Sequence, residues 1–323
     1  MKISIAMATY NGAQHLNEQL NSFLLQKRLP DEVIITDDGS CDKTEEIVKS
    51  FSKRAPFNVF FSQNTENLGY CGNFNQALSK TTGDLIFLSD QDDFWYAEKI
   101  EYIEKTAAQN PNSLMIMNDA QITDENLNDV GITKIQQLVS GGYSMDNFVM
   151  GCCCALRREL LDLCLPIPDE FKAHDDWLVY FANGLNANTV EEKVLQSYRR
   201  HDHNESQFIA NRKTSISKTD VLFQNIKVAF DKNREARDRQ ELNQLIHLRS
   251  GIQRALSKEK KEHSQKLKEM LNNTERKIVT SEERSKIRKL PFYFRIFRIN
   301  KLILNGSYRI SNGAKSIFRD LVG

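Results

Sequence analysis

The chain has 323 residues, 40% of them hydrophobic and 27% charged. That supports a sizeable core and about two domains at roughly 150 residues each, and excludes wholesale disorder. The formal net charge of +1 hides a split: residues 1–211 hold 17 Lys and Arg against 31 Asp and Glu, a balance of −14, and residues 212–323 hold 27 against 12, a balance of +15. An acidic N-terminal domain repels phosphate backbones unless a metal intervenes, so nucleic acid is not an expected partner.

The six cysteines, at 41, 71, 152, 153, 154 and 164, form no CxxC pair and read as reduced thiols of a cytosolic protein. The apolar run at the N-terminus is too short for a signal peptide. No stretch approaches the roughly 18 apolar residues of a spanning helix. The expectation is a protein that is soluble or rests on a membrane surface.

Residues 3–8 (ISIAMA) predict a buried strand ended by the turn Tyr10-Asn11-Gly12. Leu16, Leu20, Phe23 and Leu24 recur at helical spacing. Strands follow at 32–36, 57–61, 84–88 and 114–118, separated by helices at 43–53, 72–80 and 96–109. This alternation predicts a mostly parallel, three-layer α/β sheet. Residues 129–145 are polar and contain Gly141-Gly142, which reads as a loop or lid. A strand at 150–157, short helices at 158–164 and 174–183, and a strand at 187–199 complete a domain over 1–211. Residues 212–323 read as basic, mainly helical sequence, with a helical hairpin or coiled coil over 231–289.

Open α/β sheets bind ligands beyond the carboxyl ends of their strands. Three polar or acidic clusters fall there: Thr9-Tyr10-Asn11, Asp37-Asp38 and Asp90–Asp93. Neither GxGxxG nor GxxxxGK[ST] is present, so bare phosphate has no glycine cradle. The carboxylates of Asp90-Gln91-Asp92 could hold phosphate through Mn²⁺ or Mg²⁺, which take oxygen ligands. Taken alone, the same residues also fit a solvated acidic turn.

The ordered set ATYNG (8–12), VIITDDGSCDKT (33–44), NLGYCGNFNQAL (67–78), GDLIFLSDQDDFW (83–95) and HDDWL (174–178) resembles the family-2 glycosyltransferases of the GT-A fold. YRRHDHNES (198–206) resembles their rhamnosyltransferase-like branch. The resemblance covers about residues 1–206 and implies a set of roles. Thr9, Tyr10 and Asn11 would meet the donor nucleotide, with the Tyr10 ring against the base. Asp38 would accept from the pyrimidine edge or ribose, while Asp37 caps its turn. Asn67 and Gly69 would approach the donor through the backbone.

Asp92 would be the main ligand of Mn²⁺ or Mg²⁺, and Asp90 would touch the metal or the donor sugar. Asp93 would be a third carboxylate or a helix cap. Asp175 would be the general base of an inverting transfer, with Asp176 the alternative one position on. Arg199 and His201, with Asn204 behind, would meet the diphosphate. Trp177 would stack on a sugar, whereas Trp95 belongs in the core and Cys152–Cys154 serve packing. The donor implied is dTDP-rhamnose, with a UDP-hexose as runner-up. The acceptor is a saccharide, and a polyprenyl-linked one would suit cell-surface polysaccharide synthesis. Without a QxxRW motif, one sugar is transferred per encounter.

Between Glu283 and Asp320 the chain has ten Lys or Arg and no acidic residue. Within it PFYFRIFRINKLIL (291–304) spaces Arg295, Arg298 and Lys301 by three among apolar residues, as a helix in an anionic membrane interface would. Such a helix would hold the protein at the inner face of the cell membrane. A helix packed on the catalytic domain, or one that forms an oligomer, fits the same pattern. Two further function classes compete: a nucleotidyltransferase, disfavoured because no basic residue lies between Lys2 and Lys27, and a non-catalytic sugar- or membrane-binding adaptor.

Overall fold

The computed structural model describes residues 1–145, 148–201, 213–229, 233–259, 262–310 and 313–322. They divide into two compact units, Met1–Ser217 and Lys218–Gly323.

The N-terminal unit is a GT-A-like α/β fold on a nine-stranded sheet. Strands β1 (Ile3–Thr9), β2 (Glu32–Asp37), β3 (Asn58–Gln63) and β4 (Leu85–Ser89) run parallel in the order β3-β2-β1-β4. Helices α1 (Leu16–Leu24), α2 (Thr44–Ser52) and α3 (Gly69–Lys80) connect them. β1, β2 and β4 are covered on both faces, which is why they read as unbroken apolar runs. The core gathers Ile5, Met7, Phe23, Val33, Phe87 and Trp95, with α4 (Lys99–Gln109) packed against it.

Beyond β4 the sheet becomes mixed. β8 (Cys154–Arg157) pairs antiparallel with both β4 and β6 (Met115–Thr123), and β9 (Asn188–Arg199) runs parallel to β6. The two-residue strand β5 (Phe94–Trp95) pairs with β9 at the edge. α6 (Arg158–Cys164) and α7 (His174–Gly184) complete the unit.

The loop expected over 129–145 is instead largely regular. β7 (Asp129–Thr133) pairs with β6, and α5 (Lys134–Ser140) starts at a capping box between Thr133 and Gln136. Its buried face contains Lys134 and Gln137 beside Ile135 and Leu138, so polar residues on the inner side mask the helical periodicity. Residues 151–153, expected as strand, form a 3-10 turn before β8.

The C-terminal unit is helical: α8 (Lys218–Ala229), α9 (Arg234–Lys258), α10 (Ser264–Arg288), α11 (Phe292–Leu304) and α12 (Ala314–Val322). α9 and α10 pack along one another. A buried ion cluster ties α10 to α12: Asp320 accepts from Arg284 Nε at 2.7 Å and from the Tyr308 hydroxyl at 2.9 Å, with Arg288 Nε 3.1 Å away. No helix among the described residues is long and apolar enough to cross a membrane.

Candidate active site

The register Thr9↔Asp37 and Met7↔Ser89 brings the carboxyl ends of β2, β1 and β4 to one sheet edge. Adjacent strands are about 4.8 Å apart, so the residues just beyond them share a single cleft wall. The first two clusters are knitted together there. Thr9 is buried and donates to Asp37 Oδ1 at 2.8 Å. Asp37 also accepts from the Ser40 amide at 2.8 Å, which closes the turn. Asn11, at φ 46°, donates its amide to Ser40 Oγ and accepts from the Cys41 amide through Oδ1. Thr9, expected to line the base pocket, has its hydroxyl turned to brace Asp37. Asn11 likewise has its side-chain oxygen committed to the turn.

Tyr10 is 49% exposed at the rim. Its amide donates to Gln91 Oε1 and its carbonyl accepts from Gln91 Nε2, at 3.0 and 3.1 Å. Gly12 lies against the same glutamine, where a Cβ would stand 2.2 Å from Gln91 Oε1. Asp38 is buried; its Oδ1 accepts from the Leu68 amide and Asn64 Nδ2, both at 2.9 Å. Asn67 donates to the Asp38 carbonyl and accepts from the Gly69 amide, and Gly69 opens α3 at φ 70°, a left-handed conformation that favours glycine.

The third cluster is the most acidic. Asp93 is fully buried and accepts from the Arg199 amide (3.1 Å) and from Gln196 Nε2 (3.0 Å). Gln196 in turn accepts from the Lys99 ammonium, which also donates to the Cys152 carbonyl at 2.9 Å and lies 3.9 Å above the Trp95 ring. Burial holds the Lys99 ammonium below its usual range, and burial together with Asp92 pushes the Asp93 carboxyl up. Asp90 is pushed well up by burial first, then by Asp93, Asp92 and Asp175.

Carboxylate oxygens of Asp90 and Asp93 and the Cys152 thiol lie within 4.8 Å of one another. Asp92 is outside that group; its Oδ2 is 2.8 Å from His201 Nε2. So of the two residues expected to hold a metal, Asp90 is in the group of possible ligands and Asp92 is engaged by His201. The donor set nevertheless fits a divalent cation. Several carboxylates raise one another's affinity for protons, and a hard cation with oxygen ligands relieves that repulsion.

The opposite wall comes from α7. Asp175 and Asp176 lie in its first turn, where acidic side chains complement the helix dipole. Asp175 Oδ1 accepts from the Asp176 amide at 3.0 Å. Asp176 has an exposed side chain, yet dehydration by the surrounding protein, and then Asp175, push its carboxyl up to about 6. His174 is buried, stacks on Phe74 at 4.0 Å, and has no hydrogen-bond partner for either ring nitrogen among the described residues. A Cβ on Gly151 would stand 2.7 Å from His174 Nε2 and 3.5 Å from Asp175 Cβ. Gly151 directly precedes Cys152, so this close approach brings the α7 carboxylate toward Asp90.

Two expected contacts are corrected. Trp177 is fully buried between Phe171 and Phe181 and donates to the Cys164 carbonyl at 3.0 Å, so it cannot stack on a sugar. Arg199 is also buried: its guanidinium pairs with Glu18 and donates to the carbonyls of Asp92 and Glu125. It braces the acidic loop rather than reaching for a diphosphate. Asn204 lies outside the described residues. Sequence reasoning missed Lys99, Gln196 and Gln91. Only Gln91, enclosed by Asp90 and Asp92, has a local signal. An open depression of about 450 Å³ beside Pro30 and Pro56 lies at the opposite end of β2 and β3 and contains none of these groups.

The model of glycosyl transferase family 2 matches residues 4–164. An uncharacterized glycosyltransferase of a Nostoc species is 28% identical over 218 residues, 63% of this chain and just under two thirds (66%) of that protein. The dTDP-rhamnosyl transferase RfbG of Shigella flexneri is 27% identical over 226 residues, covering 62% of this chain and 73% of RfbG. Staphylococcus aureus TarS, solved in complex with UDP-GlcNAc, has the same fold, with a TM-score of 0.54 at 19% identity over 99% of this chain and 90% of that one. Through its N-terminal unit the chain belongs to glycosyl transferase family 2.

Proposed function

We propose that this protein is an inverting, metal-dependent glycosyltransferase that moves one sugar from a nucleoside diphosphate to a hydroxyl of a saccharide acceptor. The donor is dTDP-rhamnose, a choice supported by the likeness to RfbG, with a UDP-hexose as runner-up. The acceptor is carried on a polyprenyl diphosphate, in cell-surface polysaccharide synthesis on the cytoplasmic side of the membrane. The observation that carries the reading is the approach of Asp175 to the Asp90–Asp93 carboxylates across Gly151.

In this reading the Tyr10 ring meets the base. Asp38 accepts from the base or ribose through Oδ2, for which no partner is described among the described residues. Asp90 carries the metal-facing carboxylate, and His201 holds Asp92 beside it. A divalent cation there would supply positive charge to the nucleoside diphosphate as it leaves. Asp175 takes the proton of the acceptor hydroxyl while that oxygen attacks the anomeric carbon from the face opposite the diphosphate. The transition state then has oxocarbenium character.

The test is Asp175→Asn, assayed for transfer and, by thermal shift with dTDP-rhamnose and UDP-hexoses with and without Mn²⁺, for donor binding. A general base predicts that transfer falls roughly 10²–10⁴-fold while the donor-dependent rise in Tm persists. Unchanged transfer rejects Asp175, and the same loss from Asp176→Asn alone moves the role one position. No donor-dependent shift with any of these sugars would favour an adaptor on a transferase scaffold.

A further inference from the structure

Helix α11 presents large apolar side chains outward as well as inward. It turns Ile299 into the C-terminal unit, where that residue packs with Ile287 and Tyr308. At 100° per residue Tyr293, Leu304 and Phe297 stand about 120–160° round the helix from Ile299, and the direction opposite Ile299 falls between Phe297 and Lys301. These are 84%, 73% and 86% exposed. Phe294, Lys301 and Arg298 follow round one flank, all exposed. A helix with one packed side ordinarily shows polar residues on the other. Here three large apolar side chains stand in line beside two cations.

The sequence spacing groups Arg295 with Arg298 and Lys301, but the structure separates them. Arg295 Nε turns back to the Leu290 carbonyl at 2.6 Å. Arg298 and Lys301 face outward, and no ion pair is described for either among the described residues. No acidic side chain occurs in the sequence from 284 to 319 to neutralise them.

We propose that this face of α11 docks on the surface of an anionic lipid bilayer. Tyr293, Phe297 and Leu304 would enter the boundary between headgroups and acyl chains, and Arg298 and Lys301 would meet lipid phosphates. Charge selects the bilayer over a second copy of the chain: a two-fold contact through this face would set Arg298 and Lys301 against their own counterparts with no acid between them. The helix is too short and too charged to span, so it lies in the interface. The inference names the surface at which a membrane-held acceptor would be met, but it rests on the C-terminal unit's own residues and not on the transfer chemistry.

The test is co-sedimentation of the full chain with vesicles of phosphatidylcholine alone and of phosphatidylcholine with phosphatidylglycerol. Binding should require the anionic lipid and weaken with added salt. Each cation near such a surface contributes about fivefold, so the double variant R298Q/K301Q should bind roughly 25-fold more weakly. Y293S/F297S should lose binding to both salt-free and salted anionic vesicles. All of these positions are exposed, and circular dichroism checks that the variants stay helical. The docking is overturned if the anionic vesicles are not bound, if either double variant binds as wild type, or if the chain forms a dimer that Y293S/F297S dissolves. Wild-type protein that transfers sugar to a soluble acceptor but does not bind anionic vesicles overturns the docking alone.

Discussion

In the N-terminal unit acidic groups go inside: Asp37, Asp38, Asp93 and Asp119 are all buried. In the C-terminal unit apolar groups come out: Tyr293, Phe297 and Leu304 face away from the residues that hold α11 in place. Each arrangement is unfavourable unless something offsets it. A buried carboxylate needs hydrogen-bond donors or a cation. The N-terminal unit supplies backbone amides, as at Asp119, which accepts from Ala120 and Ile135 at 2.8 and 2.9 Å. It supplies fewer to Asp90, whose carboxyl is pushed up by burial and three neighbouring carboxylates. In the second unit the exposed rings have no cover of their own. In the reading proposed above, the first unit's buried carboxylates are where chemistry is done and the second's exposed apolar surface is where contact is made.

The largest effect that would sharpen this contrast lies in the C-terminal unit, at its buried ion cluster. Asp320→Asn would leave the buried Arg284 guanidinium without its paired carboxylate and beside Arg288, which keeps Asp238 as its partner. The expected loss is about 3–5 kcal/mol, read by urea unfolding, with faster limited proteolysis inside residues 218–323. A change below about 1 kcal/mol would mean that this unit does not depend on internal charge as the first one does.

A smaller loss is expected at the Lys99–Gln196–Asp93 chain. Gln196→Leu keeps the bulk but strips a hydrogen bond from a buried ammonium and another from a buried carboxylate. The expected cost is about 2–3 kcal/mol, seen as a lower Tm. An unchanged Tm would show that the interior carboxylates are held by other means.

The smallest effect is one of pH. Burial holds the His174 imidazole below the usual 6.5, with Asp175 opposing it. Because protonation favours the unfolded chain, this contribution is complete above about pH 6.5 and is lost as pH falls below it, at no more than about 1.4 kcal/mol per pH unit. Thermal unfolding between about pH 5 and 8 should therefore show a slope that His174→Gln reduces. An identical slope in that variant would remove His174 as its source.

Strand alternation and the apolar runs of β1, β2 and β4 made the parallel half of the sheet legible, because strands buried on both faces leave an unbroken signature. α5 was not legible, because Lys134 and Gln137 occupy its inner face. The acidic clusters were visible as local motifs, but their division of labour was not. Asp37 and Asp93 are alike in sequence to Asp38 and Asp90, yet both carboxylate oxygens of the first pair accept from the protein's own donors, whereas the donors described for Asp38 reach Oδ1. Trp177 and Arg199 stand beside candidate site residues in the chain and point inward, since neighbours on a helix or strand face different directions.

By itself the sequence determined the α/β class, the family and the sheet edge at which the acidic clusters gather, because each is encoded in periodicity and in short ordered motifs. Only the tertiary structure decided which carboxylates the protein's own donors take up, that His201 reaches Asp92, and which face of α11 is covered. Those outcomes depend on groups from distant parts of the chain competing for the same hydrogen bonds and the same buried surface, and no local pattern records who wins.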